Sequence, residues 1–344
     1  MNIEDIITGK DNSIQAKTIR GILTPFSWLY ELAHSVFFIP YRLGIRKKHK
    51  APLPVISVGN ITMGGTGKTP FVITLADMLK ELGYSPIVIS RGYGRKNTSA
   101  ENLLFMPDSG LSSDETGDEP QVISEAVKVP IIVGRNRIKS LKLLNKDLGD
   151  IIILDDGMQY WQLYKDIEIA IASSRKPFGS GRTIPSGDLR ESKKGLRRCR
   201  FIILTSNGKE ENRENIDKVK KYCPNSFVFS GHTSPYKITY MGKTYDTDFL
   251  ANKKIYAFSG IANPHRFLKT LEDMKAETED FASFPDHYSY TEKDLCDLKE
   301  KAGDRLLVTT AKDRAKLPKD YPAATVHIYT ETDSEFKNLI KEML

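Results

Sequence analysis

Residues Thr62-Met63-Gly64-Gly65-Thr66-Gly67-Lys68-Thr69 constrain this chain more than any other stretch. An apolar run, Val55-Ile56-Ser57-Val58, precedes them, and Pro70 to Leu79 follow with helical periodicity. Strand, glycine-rich turn and helix therefore come in the order a phosphate cradle needs. In such a cradle glycines let the backbone approach an anion, while successive N–H groups and the helix N-terminus supply partial positive charge. Lys68 then neutralises β/γ oxygens, and the Thr69 hydroxyl can hold Mg²⁺. Pro70 suits a first helical turn, whose N–H groups lack intrahelical partners. One position departs from the usual pattern: glycine is expected five residues before Gly67, and Thr62 stands there. The bland alternative is a glycine-rich surface turn. Met241-Gly242-Lys243-Thr244 serves as a control, because it also carries Gly-Lys-Thr but lies between Ile238-Thr239-Tyr240 and Tyr245, where a hairpin turn is expected.

The 344 residues suffice for a large core and for two lobes. After the cradle helix, Glu81-Leu82-Gly83 reads as a stop, and further strands are expected at 85–90, 128–134, 151–154, 167–171 and 201–204. Strands at 255–260, 306–309 and 325–328, with helices from Asn263 and from Asp333, continue the alternation. This predicts an α/β protein with a P-loop NTPase-like parallel sheet lobe over 51–230 and a second, smaller α/β lobe over 231–344.

Several candidate site residues fall at strand ends. Ile151-Ile152-Ile153-Leu154 is a buried strand, and Asp155-Asp156-Gly157 at its carboxyl end is where a P-loop sheet presents a metal-holding aspartate. Arg91-Gly92-Tyr93-Gly94-Arg95 also follows a strand, where ligands of open α/β sheets bind, although a plain turn fits it equally well, and Arg135-Asn136-Arg137 ends the 128–134 strand as candidate phosphate contacts. In Gly117-Asp118-Glu119-Pro120 the acidic pair reads by default as a helix cap. A long basic loop carries Pro177-Phe178-Gly179 and Gly187-Asp188-Leu189-Arg190-Glu191, and loops of that length are usually functional or disordered. His287, in a stretch without a strand, reads on its own as part of a turn.

A net charge of +7 is modest for a nucleic-acid binder, and it is gathered in clusters such as Arg46 to Lys50 and Lys193 to Arg198. Local patches facing an anionic partner explain it better. Cys199, Cys223 and Cys296 have neither disulfide-framework nor zinc spacing, which fits a reducing compartment. The segment Ile22 to Ile39 is aromatic and apolar but is interrupted by polar residues and Pro25, which reads against a spanning helix, and no cleavable signal is evident. Thr24 is expected to cap a helix starting at Pro25, with Phe26, Leu29, Tyr30, Ala33 and Phe37 on one apolar face beside the basic cluster. That pattern fits either an interfacial membrane helix within 1–50 or a helix packed on the globular body.

Taken together, the motifs resemble the tetraacyldisaccharide 4′-kinases of the lipid A pathway over almost the whole chain. The resemblance rests on Val58-Gly59-Asn60, Gly64 to Pro70, Ser90 to Gly94, Gly117 to Pro120, Asp155 to Gln159, Pro177-Phe178-Gly179, Leu189-Arg190-Glu191, Ser259 to Pro264 and Phe284 to Tyr288. Thr62 in the first glycine's place is similar to that family's loop as well. The resemblance implies ATP and Mg²⁺ as cofactors and a membrane-embedded tetraacyldisaccharide 1-phosphate as the lipid partner. It also implies a peripheral protein on the cytoplasmic face of the bacterial inner membrane, held by its N-terminal helix.

The resemblance also assigns roles to residues. Asp118 and His287 correspond to a catalytic pair that takes the proton of the attacking hydroxyl. Lys68 and Thr69 match phosphate and metal positions within the loop Thr62 to Thr69. Asp155 and Asp156 match the acidic pair, with Glu191 as a further metal contributor. Tyr93 and Arg190 fall near the phosphates or lipid head group. Ser173-Ser174 and Thr310-Ala311-Lys312-Asp313 depart from the expected pattern, at positions that are peripheral by the same comparison.

A rival reading is a P-loop ATPase switch of the partitioning or metal-insertion type, though the early loop lysine such switches use is absent near Met63. A GTPase fits less well, because Asn145-Lys146-Asp147-Leu148 precedes the Asp155 strand and lacks a final acidic residue. A membrane-bound scaffold with a degenerate nucleotide site is the third possibility.

Overall fold

Runs of β-branched residues that are apolar on both faces can be buried only inside a sheet covered by helices. The computed structural model, which describes residues 3–96, 100–207 and 213–344, has such a sheet. Its strands are β1 (Val55–Gly59), β2 (Pro86–Ser90), β3 (Asn102–Phe105), β4 (Ile131–Gly134), β5 (Ile151–Asp155), β6 (Ile167–Ser173) and β7 (Phe201–Asn207). They continue with β8 (Phe227–Tyr240), β9 (Lys243–Tyr245), β10 (Lys254–Ser259), β11 (Glu277–Ser283), β12 (Leu306–Thr310) and β13 (Ala323–Thr332). The order across the sheet is β11-β10-β12-β13-β8-β7-β6-β1-β5-β2-β4-β3, with β9 paired to β8.

Pairing is parallel on both sides of an antiparallel seam between β8 and β13, and β3 closes one edge antiparallel to β4. Two parallel halves thus share one sheet. The 14 residues of β8 serve both, first beside β7 and then beside β13. The 230/231 division read from the sequence falls inside this strand. β9 folds back through Met241 (φ 49°) and Gly242 (φ 73°), which makes the Gly-Lys-Thr control a hairpin turn as expected.

The register positions the site. β1 and β5 pair Val58 with Asp155, so the turn leaving β1 and the acidic pair leaving β5 emerge side by side at the strands' carboxyl ends. The helix Lys68–Glu81 that leaves this turn buries Phe71, Val72, Leu75, Ala76 and Leu79 against the sheet. The final helix, Ser334–Met343, returns from the second half to the same core, where Phe336 meets Phe71, Phe201 and Phe229 at ring-centroid distances of 5.8, 5.2 and 5.8 Å. Phe336 is fully buried, so Phe336→Ala should cost about 3–5 kcal/mol, seen as a lower denaturant midpoint with an unchanged slope.

The N-terminal segment departs from expectation. The helix starts at Ile14, capped by the Ser13 side chain, and runs 29 residues to Arg42 with Pro25 and Pro40 inside it. Thr24 therefore caps nothing; its hydroxyl donates to the Arg20 carbonyl at 2.7 Å, within the helix. Pro25 removes one ladder bond without ending the helix, because a proline forbids only the donor it lacks and the turn before it. By length and composition the helix is apolar enough to cross a membrane. One side is docked on the body, however. Ser27 donates to the Thr183 carbonyl at 2.9 Å and Tyr30 to that of Arg190 at 2.6 Å, while Phe38 stacks on Trp161 at 4.9 Å. Tyr30 consequently lies opposite the apolar face to which the sequence pattern assigned it. Phe26, Trp28, Leu29, Leu32, Val36 and Phe37 make up that outer face, each more than half exposed.

Candidate active site

The loop from Asn60 to Gly67 is braced from below by one buried side chain. Asn60 donates through Nδ2 to the Thr62 carbonyl (2.8 Å) and the Thr66 hydroxyl (3.0 Å), and its Oδ1 accepts from Lys68 Nζ at 3.0 Å. Gly64 (φ 89°) and Gly67 (φ 84°) sit in left-handed backbone that favours glycine. No atom lies within 4 Å of where a Cβ would stand on Gly64 or Gly65, so the face of the loop is open to a ligand. Thr62 fits in the first glycine's place because it is buried and pairs with Leu189 in an antiparallel bridge. The Met63 amide donates to the Asp188 carbonyl and the Arg190 amide to that of Ile61, both at 2.7 Å. The long basic loop is thereby strapped to the cradle.

That strap brings Arg190 to the acidic pair. Its Nη1 donates to both oxygens of Asp156 at 2.8 and 2.9 Å, and Lys68 Nζ stands 3.6 Å from the same carboxylate. Burial works to raise the pKa of Asp156, but the Lys68 and Arg190 cations outweigh it and hold the group below its ordinary value. Asp155 behaves oppositely. Burial, with the Glu119 and Asp156 charges beside it, pushes its pKa up to about 7. Ser90 donates to its Oδ2 at 2.8 Å, while Oδ1 is buried without a hydrogen-bond partner.

Among the described residues no three His, Cys, Asp or Glu side chains form a metal cage. The orphaned Oδ1 of Asp155, beside a cradle whose first helical turn carries Thr69, nevertheless fits a divalent cation, since a cation would satisfy the oxygen and favour its ionised form. Glu191 is engaged otherwise. Arg198 holds its two oxygens at 2.6 and 2.8 Å, and Gln159 donates to one of them at 2.8 Å. A carboxylate so committed is a brace behind the loop, which the tripeptide Leu189-Arg190-Glu191 alone does not reveal.

Asp118 and His287 come together across the two halves of the sheet. Asp118 opens the helix Asp118–Val127 after Gly117, whose φ of 91° and close approach to the Tyr93 carbonyl leave no room for a side chain. His287 Nδ1 lies 3.0 Å from Asp118 Oδ2 and its backbone has φ 59°, so the ring is held by an uncommon conformation. The exposed Tyr93 ring sits 5.3 Å from the imidazole.

Two cations complete this pair, and one of them lies in Thr310-Ala311-Lys312-Asp313, a stretch that is therefore not peripheral as the resemblance implies. Lys312 Nζ is 3.3 Å from His287 Nε2, and the buried Lys316 Nζ is 3.5 Å from Asp118 Oδ2 and 3.7 Å from Asp313. Burial works to raise the pKa of Asp118, but the His287 hydrogen bond and the Lys316 charge more than offset it. The carboxylate stays ionised at neutral pH. Lysines four apart just past a strand end were the available signal.

The residues thus gather an open amide cradle with its lysine, an acidic pair at the neighbouring strand end, and a carboxylate–imidazole pair. This is the equipment for moving a phosphoryl group to a hydroxyl.

Residues 19–344 match the family model for tetraacyldisaccharide-1-P 4′-kinase. Curated relatives include the tetraacyldisaccharide 4′-kinases of Syntrophus aciditrophicus, 36% identical over 93% of this chain and 94% of the relative, and of Halothermothrix orenii, 35% identical over 92% and 88%. The crystal structure of LpxK from Aquifex aeolicus in complex with ATP aligns with a TM-score of 0.78 and 29% identity over 94% of this chain and 99% of that one. The chain belongs to the tetraacyldisaccharide-1-P 4′-kinase family.

Proposed function

We propose that this protein is an ATP-dependent kinase that transfers the γ-phosphate to the 4′-hydroxyl of a tetraacylated glucosamine disaccharide 1-phosphate, at the cytoplasmic face of the bacterial inner membrane. The observation that carries the reading is the 3.0 Å contact between Asp118 and His287, which joins an ionised carboxylate from one half of the sheet to an imidazole from the other. A switch ATPase needs the cradle but has no use for a proton acceptor for an alcohol.

In this reading the amides of residues 64–69 and Lys68 hold the nucleotide's β and γ oxygens, with Tyr93 and Arg190 at the edge of the same pocket. Mg²⁺, held by Thr69 and the Asp155–Asp156 end of β5, would neutralise charge building on the phosphate oxygens. Asp118 accepts the proton of the acceptor hydroxyl as its oxygen bonds to the γ-phosphorus and the bond to the bridging oxygen breaks, releasing ADP. His287 orients the carboxylate. Incubation with γ-labelled ATP and the acylated disaccharide 1-phosphate is expected to put label in the lipid, whereas label released only as free phosphate would favour the switch.

The outer face of the N-terminal helix supports peripheral membrane binding. Its large apolar side chains face away from a side already docked on the body, so the helix is suited to lie in one leaflet rather than to span as a free helix. Trp28→Glu with Phe37→Glu should lower the fraction floating with vesicles by at least ~10-fold, since each charge opposes burial of its face. Turnover on detergent-dispersed acceptor should persist, and unchanged flotation would remove this helix from the membrane contact.

A further inference from the structure

Beside the docked helix lies a cleft of about 700 Å³ whose floor is Trp161. Its lining holds more cations than carboxylates, and of the four carboxylates, Glu31, Asp166, Glu168 and Glu191, all but the half-buried Glu31 on the docked helix are already engaged. Glu168 pairs with Lys165 and Arg198, Glu191 with Arg198, and Asp166 accepts the Val55 amide. At the rim, Arg42, Lys48, Lys194, Arg197 and Arg200 are exposed, and no carboxylate stands within ion-pair distance of them among the described residues. Three cations are fixed by one ring, with Arg198 at 4.8 Å and Arg42 and Lys48 each at 5.4 Å from the Trp161 centroid. Like charges gathered in a concavity repel, and an anion seated among them would relieve that repulsion.

The position of the cleft narrows the ligand. Arg42 ends the helix whose outer face is apolar, and Glu31 and Ser35 of the same helix line the cleft, which therefore opens on the shoulder between body and membrane face. The Glu191–Arg198 wall separates it from Arg190 and the cradle. We infer that this cleft binds a phosphate monoester or diester carried by a lipid, as a second anion site distinct from the nucleotide cradle. The volume accommodates a sugar phosphate. As the seat of the acceptor's own 1-phosphate the site rests on the kinase reading; as the seat of a bilayer headgroup it does not.

The test uses the full-length protein and the pair of variants Lys48→Glu and Lys194→Glu. With the cradle filled by a non-hydrolysable ATP analogue, calorimetry with glucosamine 1-phosphate should show at least ~10-fold weaker binding in the double variant, a bound based on loss of two phosphate-facing cations. The kinetic arm compares acceptor with and without its 1-phosphate, and a fall of similar size in the kcat/KM preference for the phosphorylated form assigns the site to the substrate. The vesicle arm compares flotation on phosphatidylglycerol and phosphatidylcholine, and loss on the anionic vesicles alone assigns it to a headgroup. Unchanged sugar-phosphate binding together with unchanged preference and flotation overturns the proposal. An enzyme that labels no lipid would defeat the kinase reading while leaving the calorimetric and vesicle arms decisive for the cleft.

Discussion

Asp118→Asn is expected to lower kcat by about 10²–10⁴-fold while leaving KM for ATP near its original value, because general-base contributions fall in that range. Asparagine keeps the volume and a hydrogen bond to His287 but cannot accept the hydroxyl proton. The substitution also keeps the first residue of the helix Asp118–Val127 in place, so the melting temperature should change little.

Lys316 supplies a second readout of the same arrangement. Its charge helps hold Asp118 ionised, so Lys316→Met should raise the carboxyl pKa and move the acid limb of kcat/KM upward. The sign for stability follows from the same shift. A depressed carboxylate stabilises the fold above its unfolded pKa, near 3.9, and that contribution is lost as pH falls through the folded value. Asp118 in the native protein therefore produces no activity loss or unfolding between pH 5 and 8. An Asp118→Asn protein with near-native kcat would exclude Asp118 as the base.

Lys68→Met should reduce kcat/KM for ATP by about 10²–10³-fold or more, the usual effect of removing one preorganised charge donor from a transferring group. The loss has a structural part. Lys68 Nζ is seated between Asn60 Oδ1 and Asp156, so its removal leaves Asn60 Oδ1 without that donor and Asp156 with Arg190 as its remaining ion-pair partner among the described residues. Lys68→Arg is not a mild change either, because a planar fork does not occupy a seat built for one ammonium nitrogen. Asn60→Ala is the companion variant. It removes the side-chain contacts to Thr62, Thr66 and Lys68 without touching the reacting atoms and is expected to weaken nucleotide binding more than kcat.

The phosphate loop was legible because its information is local: apolar strand, glycines and lysine lie between Val55 and Lys68, and the acidic pair ends an uninterrupted apolar run. Asp118 and His287 are 169 residues apart, and no spacing rule joins them. Only the resemblance paired them ahead of the fold. Lys312 falls in a stretch that the resemblance treats as peripheral and Lys316 in no motif at all, because only the packing of the second half against Asp118 brings them to the pair.

The N-terminal helix shows a different failure. The sequence pattern places its start at Thr24-Pro25, a good local signal, but Ser13 takes the cap eleven residues earlier and the proline is tolerated within the helix. β11 escaped notice because Glu277 to Asp280 look solvated, as an exposed edge strand does. Docking of Ser27 and Tyr30 onto the backbone at Thr183 and Arg190 has a practical consequence too. Deleting residues before Lys50 would strip partners from the loop that positions Arg190, so loss of activity in a truncation would not by itself report on membrane binding. The outer-face variants separate the two effects.

A crystal grown with a non-hydrolysable ATP analogue and Mg²⁺ addresses the arrangement most directly. The β and γ phosphates should lie on the amides of residues 64–69 with Lys68 Nζ in contact, and an Asp118 carboxylate oxygen should face the γ-phosphorus from the side away from the bridging oxygen. An empty cradle, or a γ-phosphate turned away from Asp118, would contradict the account.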